Sequence, residues 1–381
     1  MTPELRALAS RALAIEHVPE DMLLWTCLKI HVMCAAVWRV DSPAGAIVLK
    51  QHRHPRPFAQ ELQAYRDWLP GLLDARDAPH LRGPSDSQQP HHRGPSDSQQ
   101  PHLRGPSDSQ QPHLRGPSDS QHPHLRGPSG PQEPHLRSSS DSHSPLLGLP
   151  EPLPPAPARE PGVHDLLAVR VPALLASDRR SLGLALSAAP GERLYLGTHD
   201  SPSTLAAHAA AGRFLRALHQ LPAVDDDPIP LVAAVAARLD AWHARARDIL
   251  SPAERDALQR LAARRDAFAG VRRVPCHRDF TPDNWLLAGD ALHVLDFEHA
   301  RLDAAEADLV KLCADTWAEN PALAEAFLAG HGSLDTDAAA RLDVLLALHA
   351  VATLAWAERH ADPDFHALGR RALAVALDRV T

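Results

Sequence analysis

The chain has 381 residues, 44% of them apolar, and a formal net charge of −8. That length supports one large or two ordinary domains with real cores. The lack of a basic excess argues against nucleic acid or an anionic membrane as the main partner. Four cysteines without a C-x-x-C pair (Cys27, Cys34, Cys276 and Cys313) fit reduced thiols rather than a disulfide scaffold. The first residues have no signal-peptide pattern, so a cytoplasmic location is expected.

Residues 22–38 are apolar but interrupted by Lys29 and His31, which suits buried strands better than a membrane span. Two strand-like runs follow, 36–40 and 46–50, around the turn chemistry of Asp41-Ser42-Pro43-Ala44-Gly45, so a hairpin is expected. Phe58, Leu62, Tyr65 and Leu69 then recur at helical spacing, with the run ELQAYRDWL opening at Glu61. From Pro79 an eleven-residue unit, PHLRGPSDSQQ, recurs with starts at Pro90, Pro101, Pro112, Pro123 and Pro134. Each unit holds one Leu at most, too little burial to offset about 1–2 kcal/mol of backbone entropy per residue. Residues 79–144 therefore read as a disordered insertion, extended by the Pro-rich linker 149–161.

A strand is expected over 181–188. The remainder is Ala-, Leu- and Arg-rich, with helices expected at 202–220, 230–248, 252–268, 302–317, 321–330, 336–358 and 365–379. The predicted organisation is α+β. A small β-rich lobe is built from 1–78 and 162–191, the latter with the last strands and a hinge. The insertion is 79–161, and a larger helical lobe spans 192–381.

One stretch of the helical block breaks the pattern: VPCHRDFTPDNWLLAGDALHVLDFEHA, 274–300. Trp285–Leu287 and Leu292–Leu295 flank Ala288-Gly289-Asp290 and read as a second hairpin. It returns Asp296 toward the polar loop that carries Asp279 and Asn284. Phosphoryl transfer needs this combination, because positioning and cations supply most of its catalysis. One carboxylate and one amide suit Mg²⁺, which keeps several waters; Asp296 and Asn284 fit that role. Asp279 is then available to orient and deprotonate an attacking hydroxyl.

His277-Arg278-Asp279, Asn284 five residues on, and Asp296-Phe297-Glu298 resemble the catalytic loop and metal motif of protein-kinase-like enzymes. They are closest in pattern to the aminoglycoside phosphotransferase and choline kinase families, H-x-D-x-x-x-x-N followed by D-x-D/E. The resemblance covers about 20–75 and 165–380. It implies a protein-kinase-like two-lobed fold, with ATP and Mg²⁺ as cofactors and a small-molecule hydroxyl as acceptor. It also implies that Lys50 contacts the nucleotide phosphates while paired with Glu61, that 182–188 leads into the hinge, and that LHQL, 218–221, ends the helix before the catalytic loop. Asp308 in EADLVKL would brace that loop. His277 is expected to be structural and Arg278 to bridge to another loop. Glu298 stands where protein kinases have Gly, and no A-P-E element is present, both of which favour a small-molecule substrate.

The sequence departs from the family between Leu23 and Trp38, where the phosphate-covering turn usually has a Gly and this chain has none. A degenerate, non-catalytic nucleotide- or ligand-binding module is therefore a competing reading. The acceptors considered are aminoglycosides, other amino sugars, choline-like alcohols, homoserine and macrolides, with Asp315, Trp317, Glu319, Trp356 and Glu358 as candidate pocket residues. Lys29, Lys50 and Lys311 are the only lysines among 39 basic residues, so each is a candidate for a specific task, chance survival of the Arg bias being the alternative. Oligomeric state has no signal in the sequence.

Overall fold

In chain order the elements are α1 Pro3–Ala12, β1 Leu24–Ile30, β2 Ala35–Ser42, β3 Gly45–His52 and α2 Pro55–Gln63, then β4 Ala168–Arg170, β5 Leu174–Asp178, β6 Gly183–Ser187 and β7 Glu192–Arg193. Helices α3 Pro202–His219, α4 Leu231–Ala246 and α5 Pro252–Ala262 follow. Next come β8 Val274–Cys276, β9 Trp285–Ala288, β10 Ala291–Val294 and β11 Arg301–Asp303, and finally α6 Pro321–His331, α7 Thr336–His360 and α8 Pro363–Asp378. This computed structural model describes residues 2–13, 24–30, 35–43, 45–72, 167–194 and 201–379, with backbone only for 24–30. The repeat insertion 79–144, the linker 149–161 and positions 31–34 of the Gly-less turn lie outside the described residues.

The first sheet has the order β1-β2-β3-β6-β5 and is antiparallel throughout. The β2–β3 hairpin is tighter than expected, with Ser42 opposite Gly45 and the Ser42 hydroxyl donating to Gly45 O at 2.8 Å. Strand alternation sorts β3 into two faces. Ile47 and Leu49 pack with Val40 and Ala185 against Leu5, Leu8 and Ala9 of α1, a helix the sequence reading did not anticipate. Lys50 and His52 occupy the register positions of the opposite face, toward α2. That helix starts at Pro55 rather than at Glu61, since Pro is pre-organised for a first helical turn. It continues as a π turn over Ala64–Trp68, and Phe58, Leu62, Tyr65 and Trp68 join the main core.

The segment 162–191, expected to complete this sheet, divides. β5 and β6 join it, whereas β4 runs parallel to β10 in a second sheet of order β4-β10-β9-β7. The β9–β10 hairpin turns at Gly289, whose φ of 58° is one that glycine adopts without a Cβ penalty.

The helical region packs around Phe214, Phe280, Trp285, Phe297 and Phe327. Helix α3 begins with the Ser201 hydroxyl accepting from Thr204 N at 3.1 Å. It crosses α6 at very short range. A Cβ added to Gly330 would stand 2.0 Å from Ala209 O, and one added to Gly212 would stand 2.1 Å from Phe327 O. The single helix expected over 302–317 is broken into β11, a 3₁₀ turn Ala305–Asp308 and a π turn Leu312–Thr316. Pairing of β11 with β8 outweighs local helix propensity there. Helix α7 is long and apolar enough to cross a membrane, but 61% of its apolar window is buried inside this fold, as in a core helix.

Candidate active site

Lys50 is the meeting point of three carboxylates. Its Nζ lies 2.5 Å from Asp296 Oδ1, 2.9 Å from Glu61 Oε2 and 3.0 Å from Glu298 Oε2, with its side chain 7% exposed. β3 supplies the lysine, α2 supplies Glu61, and the segment after β10 supplies Asp296 and Glu298, so one ammonium ties three elements together. Burial works against that charge, but the three carboxylates outweigh it and hold the Lys50 pKa well above its ordinary value. His52, which the sequence reading missed, is buried beside the cluster. Its Nε2 is 2.8 Å from Glu61 Oε2 and its Nδ1 3.8 Å from Glu298 Oε2. Its only sequence signal is that it shares the Lys50 face of β3.

The loop from His277 to Asn284 joins β8 to β9. Asp308 braces it by accepting from the backbone N–H of His277 at 2.9 Å and of Arg278 at 2.5 Å. The Asp308 carboxylate also meets His219 Nε2, at the end of α3, at 3.0 Å. Burial alone would raise the Asp308 pKa; its His219, His277 and Arg278 contacts reverse this and lower it. Arg278 has φ 68° and Asp296 φ 66°, left-handed conformations that side-chain-bearing residues adopt at a cost of about 1–3 kcal/mol. The paired Asp308 bonds hold the first. The second is flanked by Leu295 N donating to Asn284 O at 2.9 Å and by His277 Nε2 donating to Leu295 O at 2.8 Å. His277 is thus bonded to the Asp296 segment. Phe297 packs on its ring at 4.5 Å and on Tyr65 of the α2 extension at 5.5 Å.

The Asp279 carboxylate is engaged on both oxygens. Asn284 Nδ2 donates to Oδ2 at 3.2 Å and to Asp279 O at 2.8 Å, while Lys311 Nζ contacts Oδ1. Burial would raise the Asp279 pKa, but the Lys311 ammonium outweighs it and keeps the carboxyl below its ordinary value. Arg278 reaches the neighbouring turn, with Nε 3.4 Å from Asp303, a carboxylate that also meets Arg238 and Arg301. Desolvation and then the nearby Arg278 lower the Arg301 pKa to about 10.

The structure therefore brings Lys50, Glu61, Asp296 and Glu298 into one cluster and Asp279, Asn284 and Lys311 into another. Asp308, His277 and Arg278 shape the loop between β8 and β9. Of the candidate acceptor residues, Trp317 is buried against Phe327 at 5.2 Å and is part of the core. Trp356 stacks on His360 at 4.1 Å, and Asp315 is 3.8 Å from Arg371. The two clusters hold four carboxylates (Glu61, Asp279, Asp296, Glu298) against two ammonium groups. That excess of two negative charges, with an amide oxygen at Asn284, fits a hard divalent cation.

Residues 159–345 match the model of the phosphotransferase enzyme family. The chain carries a phosphotransferase-family domain. As such it is a small-molecule kinase. The matched segment contains Asp279, Asn284, Asp296 and Asp308, and it begins beyond Lys50 and Glu61. Solved structures extend the likeness to the whole fold. The GDP and kanamycin complex of APH(2")-IIia aligns at 12% identity over 98% of each chain, with a TM-score of 0.56. ADP-bound aminoglycoside phosphotransferase APH(2'')-Ib aligns at 11% identity over 100% of this phosphotransferase and 98% of that chain, TM-score 0.51. A choline/ethanolamine kinase family protein from Mesorhizobium loti aligns at 15% identity over 97% and 98%, TM-score 0.51. The phosphotransferase thus has the protein-kinase-like fold expected from its motifs. No curated protein sequence matches it.

Proposed function

We propose that this phosphotransferase moves the γ-phosphoryl group of ATP to a hydroxyl of a small, amine-bearing polar molecule, with Mg²⁺ as cofactor, in the cytoplasm. The observation that carries the reading is the Lys50 cluster, in which one buried ammonium is held by Glu61 of α2 and by Asp296 and Glu298. An ammonium so fixed can meet nucleotide phosphates without first being ordered. The related folds were solved with GDP, ADP and ATP, which supports a nucleotide donor.

Asn284 and Asp296 would hold Mg²⁺, which supplies charge neutralisation at the phosphate oxygens when bound. Asp279 orients the acceptor hydroxyl and takes its proton. The acceptor oxygen then bonds to phosphorus, the bond from phosphorus to the leaving oxygen breaks, and its electron pair departs with ADP. An amine-bearing acceptor is supported by Asp315. Its pKa is raised chiefly by burial and then by Glu319; Arg371 lowers it and Asp283 raises it further, so two carboxylates stand near Asp315 beside one guanidinium. The free thiols Cys276 and Cys313 suit a reducing compartment.

The test is the thermal midpoint of wild type and Asp296→Ala with and without Mg·ATP. A nucleotide at 100 times its Kd adds about 2.7 kcal/mol to the native state. A shift in wild type that the variant loses supports the reading. No shift in either would leave the degenerate binding module as the better description. A screen of aminoglycosides, amino sugars and choline-like alcohols with γ-labelled ATP then sorts the acceptor.

A further inference from the structure

Lys311 is one of three lysines in an otherwise Arg-based chain, and it stands three residues after Asp308 in EADLVKL, where the family resemblance assigns a role to Asp308 and none to Lys311. It enters from the turn after Asp308 and places Nζ on Asp279 Oδ1, with its own side chain 42% exposed. Lys50, by contrast, is buried and fixed by three partners. A base must stand within hydrogen-bond reach of the acceptor hydroxyl, and that oxygen must approach phosphorus to about 3–3.5 Å. An ammonium touching Asp279 is therefore one side-chain rotation from the oxygens of the group in transit. At rest both Asp279 oxygens are engaged, Oδ1 by Lys311 and Oδ2 by Asn284.

We infer that Lys311 is a second catalytic cation, which leaves Asp279 Oδ1 for the oxygens of the phosphoryl group as it transfers and so frees that carboxylate oxygen for the acceptor hydroxyl. This rests on the phosphotransferase reading above and adds a residue to it. Lys311 forms no bond and moves no proton. It stabilises charge spread over the phosphoryl oxygens while the acceptor proton goes to Asp279 and the leaving electron pair goes to ADP. Lysine suits the task better than arginine, because a compact ammonium on a four-carbon stem can exchange partners that a planar fork would hold. His349, which lies within electrostatic reach of Lys311, does not compete. Burial, then Lys311 and Arg278, lower its pKa to about 4, so it is neutral at pH 7.

The experiment compares wild type, Lys311→Gln and Lys311→Arg by thermal shift with Mg·ADP and with Mg·ADP plus aluminium fluoride, a mimic of the transferring group. Steady-state ATP hydrolysis, with water as acceptor, is followed in parallel. Lys311→Gln should keep the full Mg·ADP shift, which also reports folding, and lose the added shift from aluminium fluoride. Its kcat should fall about 10²-fold with KM for ATP unchanged, the scale of losing one preorganised donor. Lys311→Arg should recover part of both. An intact aluminium fluoride shift in Lys311→Gln overturns the inference. So does a Lys311→Gln effect on kcat that vanishes in an Asp279→Asn background, since Lys311 would then act only through the base. If wild type itself shows no Mg·ADP shift, the nucleotide reading fails and takes this inference with it.

Discussion

Lys50 and Lys311 each meet a carboxylate of the site, yet they are built in opposite ways. Lys50 is enclosed, with three carboxylates from two separate regions of the chain converging on it. Lys311 is half exposed and meets a single carboxylate. A buried charge with several partners behaves as architecture, because each partner depends on the others for neutralisation. A single pair whose ammonium end reaches solvent opens at lower cost than an enclosed cluster and is free to take part in chemistry.

The sharpest way to break this contrast is to remove each ammonium. Lys50→Met leaves Glu61, Asp296 and Glu298 facing one another, and breaking such a cluster costs about 3–5 kcal/mol. Urea unfolding of Lys311→Met should show a loss within about 1 kcal/mol. Equal losses would mean that the two lysines do the same structural work. Next in size is Gly330→Ala, whose added methyl has no room at the α3–α6 crossing and should cost about 1–3 kcal/mol. Because α3 carries His219 to Asp308, that variant should lower kcat while sparing the Mg·ADP thermal shift, which reads the Lys50 side.

Titration separates the two sides by sign. The folded pKa of Lys50 is raised, so its contribution is fully present below about pH 10.5 and is lost as pH climbs through the higher folded value. The folded pKa values of Asp279 and Asp308 are lowered, so their contributions are present above about pH 3.8 and are lost as pH falls further. His208 adds a third window, which His349 shares. Burial lowers its pKa from 6.5 to about 4, so its stabilising effect is complete above pH 6.5 and fades between 6.5 and 4. Urea midpoints from pH 3 to 11 in wild type and Lys50→Met would resolve the three, and an alkaline limb unchanged in Lys50→Met would remove Lys50 as its source. The smallest effect belongs to His52→Gln, which should cost about 1 kcal/mol through its lost approach to Glu61.

What could be read in the sequence was local. The β2–β3 and β9–β10 hairpins declare themselves through turn chemistry, α2 through its apolar spacing, and the 277–298 loop through residue types at fixed intervals. What could not be read depends on partners far along the chain. α1 has meaning only as the cover of a sheet formed later, and β4 only through β10, more than a hundred residues on. The break in 301–316 comes from β8, because three residue pairs across a two-stranded sheet outweigh helix-favouring composition. The contact of Lys311 with Asp279 is likewise non-local. Only the scarcity of lysine in an Arg-rich chain hinted at it, without naming its partner.

The alternation along β3 also bears on how this protein can change. Leu49 belongs to the α1 layer and Lys50 to the carboxylate cluster, and nothing but strand parity separates those fates. A codon gained or lost between Ala46 and Lys50 would rotate every later side chain of the strand to the wrong layer, burying an ammonium beneath α1 and exposing a leucine to three acids. The strand can therefore drift in residue type while its length is held fixed.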